Sequence, residues 1–189
     1  MTFRELVKYT PVGRTLMIPP RFGLVAMPVL LRQAGQIIRW TFTSKEYYNH
    51  SYHLTPLSVR YLASYISVVT GHELPKIEGY ISELEQDAAL RETLIRCTLA
   101  SRDRHNCDAE PRYGRRLGWY ALVRATKPRV VVETGIDRGL GSVVIAAALK
   151  RNAEEGFPGM VYATDSMPDC GHLLAEPYLS LAQLEIKKG

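Results

Sequence analysis

Long apolar runs are missing from this 189-residue chain. No unbroken stretch reaches the length of about 18 apolar residues that reads as a membrane-spanning helix. The best candidate, residues 24–31 with a weak extension to 38, is interrupted by Pro28 and Arg32. It starts late and no small-residue cleavage site follows it, so it does not read as a signal peptide, and the expected location is cytoplasmic. Cysteine is scarce. Cys97, Cys107 and Cys170 are widely spaced, with no C-x-x-C pair. An odd count without a secretory leader excludes a disulfide framework and predicts reduced thiols. His50 with His53, and His105 with Cys107, each resemble half a metal site, but no second half follows at ligand spacing, and no metal is expected. Acidic residues are nearly absent from the front end. Up to Lys45 the basic residues are Arg4, Lys8, Arg14, Arg21, Arg32, Arg39 and Lys45, against Glu5 alone. Such a leader suits anionic lipid, nucleic acid or an acidic partner. Its charges are too thinly spread for a nucleic-acid site, so a solvated basic leader and no nucleic-acid partner are expected. There is no internal repeat and no low-complexity tract.

What is present is ordinary globular composition, 46% hydrophobic and 23% charged, which excludes a disordered chain. Residues 1–23 carry Pro11, Gly13, Pro19, Pro20 and Gly23 and predict neither a long helix nor a central strand. Residues 29–42 (VLLRQAGQIIRWTF) predict a short basic amphipathic helix. It suits a membrane surface, the body of the protein, or a second subunit in a homo-oligomer. Residues 43–56 are polar and aromatic and predict a loop that contains Tyr47, Tyr48 and Tyr52. Thr55-Pro56 then opens a helix, with threonine as N-cap and proline at the first position, and Gly71 is a fitting stop. After Pro75, residues Ile77, Ile81, Leu84, Ala88, Leu90, Leu94, Ile95 and Leu99 form one helical apolar stripe. Residues 101–112 predict a charged loop, and 112–125 a helix ended by Thr126-Lys127-Pro128.

Chemistry concentrates in residues 129–165. Arg129 to Gly135 (RVVVETG) is a β-branched run entering a glycine and predicts a buried parallel strand. Gly135, Gly139 and Gly141 punctuate a turn, a helix follows from Ser142, and Gly156, Pro158 and Gly159 end it. Residues 160–165 (MVYATD) predict a second buried strand that ends on an acid. In such a β-α-β unit a glycine turn lets a ligand approach the backbone without a Cβ clash. The helix start offers free N–H groups. An acid at the next strand tip accepts hydrogen bonds from ribose hydroxyls.

The glycines read G-x-x-x-G-x-G, not the G-x-G-x-x-G of a dinucleotide site. Glu133 stands two residues before the first of them. An acid there repels a pyrophosphate and suits the cationic amino-acid end of S-adenosylmethionine (SAM). The pattern E-x-G-x-x-x-G-x-G-S resembles motif I of the class I SAM-dependent methyltransferases, especially the small-molecule O-methyltransferases. The resemblance covers about 40 residues, and the helix before Pro128 also resembles the one preceding motif I in that family. It implies that Glu133, Gly135, Asp137, Gly139, Gly141 and Ser142 line the methionine side of a SAM site. Asp165 would bind the ribose. A small-molecule methyl acceptor is implied with it.

The expected fold class is α/β: an N-terminal helical region followed by the start of a Rossmann-like parallel sheet, β-α-β-α, truncated. The expected domains are a basic leader and helical cap over 1–125 and a partial SAM-binding domain over 126–189. Residues 173–186 predict a helix disturbed by Pro177, with the third strand beyond the chain's last residue, as in an N-terminal fragment of a longer protein. His105 and Asp137 are candidate general bases, with surface and turn roles as the competing readings, and no catalytic residue is assigned. Two other functions compete: a non-catalytic interaction module using the basic N-terminus, and a Rossmann-type NAD-binding enzyme.

Overall fold

The computed structural model describes Thr2, Glu5, Val7 and residues 10–46 and 54–186. His50, His53, Tyr47, Tyr48 and Tyr52 lie outside the described residues. The chain divides into two compact units, Met1–Ser44 and Lys45–Gly189. The boundary expected near residue 125 falls inside the second unit, because its helices share one apolar core with the sheet.

The helix expected over residues 29–42 is present, and the proline-bearing residues 11–26, where no long helix was expected, are helical as well. α1 (Pro11–Leu16), α2 (Ile18–Arg21), a π-turn (Phe22–Ala26) and α3 (Met27–Thr43) follow one another almost without a break. Pro11 follows the extended Thr10 cap, where its missing N–H has no partner to lose, while Pro19, Pro20 and Pro28 fall at the joints between segments, beside Met17 and the π-turn, where the hydrogen-bond ladder changes register. Thr10 caps the start by accepting from the Gly13 N–H at 3.1 Å. The composite helix, Pro11–Thr43, spans 33 residues with mean hydropathy 1.2 in its most apolar window. By length and composition it is apolar enough to cross a membrane. Counting only unbroken apolar runs missed it.

The second unit begins its regular structure with α4 (Pro56–Thr70). Thr55 accepts from the Ser58 N–H at 3.1 Å, and Gly71 closes the helix with φ +70°. The single stripe expected after Pro75 is two helices, α5 (Leu74–Glu85) and α6 (Ala88–Ala100). Asp87 divides them, because its carboxylate accepts the Leu90 N–H at 2.9 Å and starts a new helix. A short 3₁₀ turn, Arg102–His105, interrupts the expected loop, and α7 (Arg116–Thr126) precedes the sheet.

The sheet has three parallel strands in the order β1 (Val130–Thr134), β2 (Met160–Asp165) and β3 (Ala182–Ile186). α8 (Leu140–Glu154) connects β1 to β2. Residues 173–186 are not a helix, and the third strand lies within the chain. Leu173, Leu174 and Tyr178 each reach the core separately, Pro177 cannot supply a helix N–H, and residues 182–186 pair with β2 instead. Nor is β1 buried on both faces. Val131, Val161, Ala163, Ala182 and Leu184 join the core, whereas Val130, Val132 and Tyr162 on the opposite face are exposed, Val132 to 71%.

A buried polar group ties the helices together. Arg124 on α7 is 3% exposed. Its guanidinium meets Glu83 of α5 at 2.8 Å, Asn152 of α8 at 2.5 Å and Glu155 at 2.6 Å. The Tyr120 hydroxyl also donates to Glu83.

Candidate functional site

The site forms where the first two strands end. The register pairs Thr134 with Thr164, so the two carboxyl ends lie side by side. Gly135 continues the ladder by donating its N–H to the Thr164 carbonyl at 2.9 Å. It then turns at φ +80°, a conformation that side chains oppose, and a Cβ there would meet nothing within 4 Å. The turn is therefore open above Gly135.

Asp165 closes the arrangement. Its Oδ2 accepts the N–H of Ile136 at 2.7 Å and of Asp137 at 2.9 Å. Oδ1 accepts the Met167 N–H at 2.9 Å. These backbone donors, Met167 first, hold the Asp165 carboxyl below its ordinary pKa. The acid is thus ionised and aimed at the glycine turn. A ribose hydroxyl reaching it has to share these oxygens with the loop amides.

Asp137 adopts φ +51°, which an aspartate tolerates better than most residues. Its side chain is exposed, and its carbonyl accepts the Gly171 N–H at 2.7 Å. Gly139 (φ +95°) starts α8 and approaches the backbone of Gly171 so closely that an added Cβ would stand 3.0 Å from its Cα. Leu173 completes this clasp by donating its N–H to the Arg138 carbonyl at 3.0 Å. The segment after β2 thus buttresses the glycine turn. Nothing in the sequence beyond the glycine at 171 signals that role.

Glu133 and Ser142 come together on the helix-covered side of the sheet. The Ser142 hydroxyl donates to Glu133 Oε2 at 2.5 Å. A Cβ on Gly141 would stand closer than 3 Å to Glu133 Oε1 and 2.9 Å from Cζ3 of Trp119. Gly141 is therefore a packing glycine that admits the carboxyl beneath the start of α8. Burial raises the Glu133 pKa, while the Ser142 bond and the Arg116 charge oppose the rise. So the predicted residues divide into two groups. Gly135, Asp137, Gly139 and Asp165 surround the open turn, and Glu133, Gly141 and Ser142 form its support.

On the flank of the turn, Arg138 forms an ion pair with Glu46 at 3.2 Å. These two, with Leu94, Thr98, Asp108, Leu140 and Leu173, line a cleft of about 460 Å³ including its open mouth. His105 is exposed, with the Arg104 side chain 3.2 Å from its ring. The three cysteines are free thiols. No family model, no curated protein and no solved structure matches the chain.

Proposed function

We propose that residues 126–186 are a Rossmann-like SAM-binding unit, and that the chain serves SAM-dependent methyl transfer to a small molecule. One observation carries the reading: the glycine turn and the strand-end acid share one end of the sheet and are bonded to each other, Asp165 to the amides of Ile136 and Asp137. Ligands of open α/β sheets bind outside the carboxyl ends of the strands. The open space above Gly135 fits a ligand that lies against the backbone. The spacing E-x-G-x-x-x-G-x-G-S favours a sulfonium amino acid over a pyrophosphate.

In this reading the turn at Gly135, Asp137 and Gly139 takes the methionine part, and Asp165 accepts the ribose hydroxyls. SAM supplies a methyl group activated by its sulfonium. The chain's part is to hold that group in line with an acceptor and to keep water away, which needs little covalent machinery. Glu133 contributes as a half-buried acid supporting the turn and adding negative potential near a cationic ligand. Neither His105 nor Asp137 is assigned as a base.

Calorimetric titration with SAM, S-adenosylhomocysteine and NAD tests the proposal. Saturable binding of both sulfur compounds, with none of NAD, is the expected result. Binding of NAD alone rejects the proposal in favour of a nicotinamide enzyme, and binding of none favours a non-catalytic module.

A further inference from the structure

We infer that α3 is a membrane-surface helix that docks the chain on an anionic lipid bilayer through one apolar face. At 3.6 residues per turn, Met27, Leu30, Leu31, Ala34, Ile37, Ile38 and Phe42 fall within an arc of about 140°, shared only with Thr41, whose hydroxyl donates back to the Ile37 carbonyl at 2.9 Å. No residue of α3 is buried, and on this face Leu31 is 64% and Phe42 84% exposed. Contiguous apolar surface of this kind marks an interaction site. Arg32 and Arg39, seven residues apart, stand together outside the arc, and both are exposed.

Charge selects the occupant. Up to Lys45 the chain carries seven basic residues and one acid. That balance attracts a bilayer rich in acidic headgroups. It opposes a second copy, whose identical helix would bring Arg32 and Arg39 against like charges. The apolar arc is also wider than a coiled-coil seam, and α3 offers only about two heptads to one.

The same charges argue for lying on the membrane rather than crossing it. The composite helix is long enough to span. However, only the ten residues 22–31 separate Arg21 from Arg32. A span needs about 20 residues. Any such window within Pro11–Thr43 places an arginine in the hydrocarbon, which is costly. A helix lying in the interface buries its apolar face and leaves both arginines at the headgroups.

The test is vesicle flotation of the full chain. Phosphatidylcholine vesicles with about 30% phosphatidylserine should bind it about tenfold more tightly than pure phosphatidylcholine, and about 0.5 M salt should weaken the difference. Leu31→Glu with Ile38→Glu should reduce binding at least about tenfold. Circular dichroism melting serves as the control for the rest of the fold. Arg32→Glu with Arg39→Glu keeps the apolar face and should abolish the preference for anionic vesicles. Three outcomes overturn the inference: equal flotation of all variants, resistance to alkaline carbonate extraction (a spanning helix), or a stable dimer in solution that vesicles do not compete with.

Discussion

Asp165 Oδ2 accepts the backbone N–H of Ile136 at 2.7 Å across 29 residues of sequence. The bond joins the tip of β2 to the turn that leaves β1. It makes the acid both a prop for the turn and a candidate ligand group.

Asp165→Ala removes this prop. The amides of Ile136 and Asp137 lose their acceptor, and their hydrogen exchange should accelerate relative to the strand amides of Val131 and Val161. Affinity for S-adenosylhomocysteine should fall by about tenfold to a hundredfold, as expected when hydrogen bonds to a charged group are lost. Faster exchange with unchanged affinity would leave Asp165 as structural support only.

Gly141→Ala should destabilise the fold. An exposed helix glycine replaced by alanine gains up to about 1 kcal/mol. Here the new Cβ collides with the Glu133 carboxylate and Trp119. Overpacking of this kind costs about 1–3 kcal/mol, so the net change should be a loss in urea unfolding. A gain in stability would show that Glu133 does not occupy the space beneath α8.

Arg124→Met should cost about 3 kcal/mol in equilibrium unfolding, because Glu83 and Asn152 lose their partner in a largely buried network. The pH dependence follows from Glu155. Bonds from Arg124 and Lys127 lower its pKa from 4.5 to about 2. A carboxyl lowered on folding stabilises the native state above its unfolded pKa. That contribution is lost as pH falls from about 4.5 to about 2. Glu155→Gln should flatten the stability profile over this window. The effect should be modest and salt-sensitive, since the Glu155 side chain is 42% exposed.

Val132→Thr should change stability by no more than about 0.5 kcal/mol, as at other exposed positions. Val161→Ala on the covered face should cost about 2 kcal/mol. Equal costs, measured by thermal melts, would mean that the outer face of β1 is also packed.

The local signals proved readable in sequence where one residue type has one physical use. Thr55-Pro56 and Gly71 bracket α4, and residues 160–165 form β2 with the expected ends. The glycines at 135 and 139 mark backbone with positive φ. Long-range features were hidden. Nothing near Arg124 in sequence shows that α5 and α8 will supply its partners. Gly141 reads as a ligand-binding glycine, and only packing shows that it accommodates Glu133. The stretch 173–186 satisfies a helical pattern in isolation, yet β2 offers its last residues a ladder of hydrogen bonds. Pro11, Pro19 and Pro20 read as helix breakers because composition does not reveal that they fall at the starts of successive helical segments.

The account's central claim is that a sulfonium cofactor lies against the turn at Gly135 with its sugar at Asp165. Backbone amide spectra of the ¹⁵N-labelled chain, titrated with S-adenosylhomocysteine, test it most directly. The account predicts saturable shifts concentrated at Gly135, Ile136, Asp137, Asp165 and Ser166, all fitting one dissociation constant. Unmoved signals at these five residues under saturating ligand, or shifts confined to other parts of the chain, would contradict it.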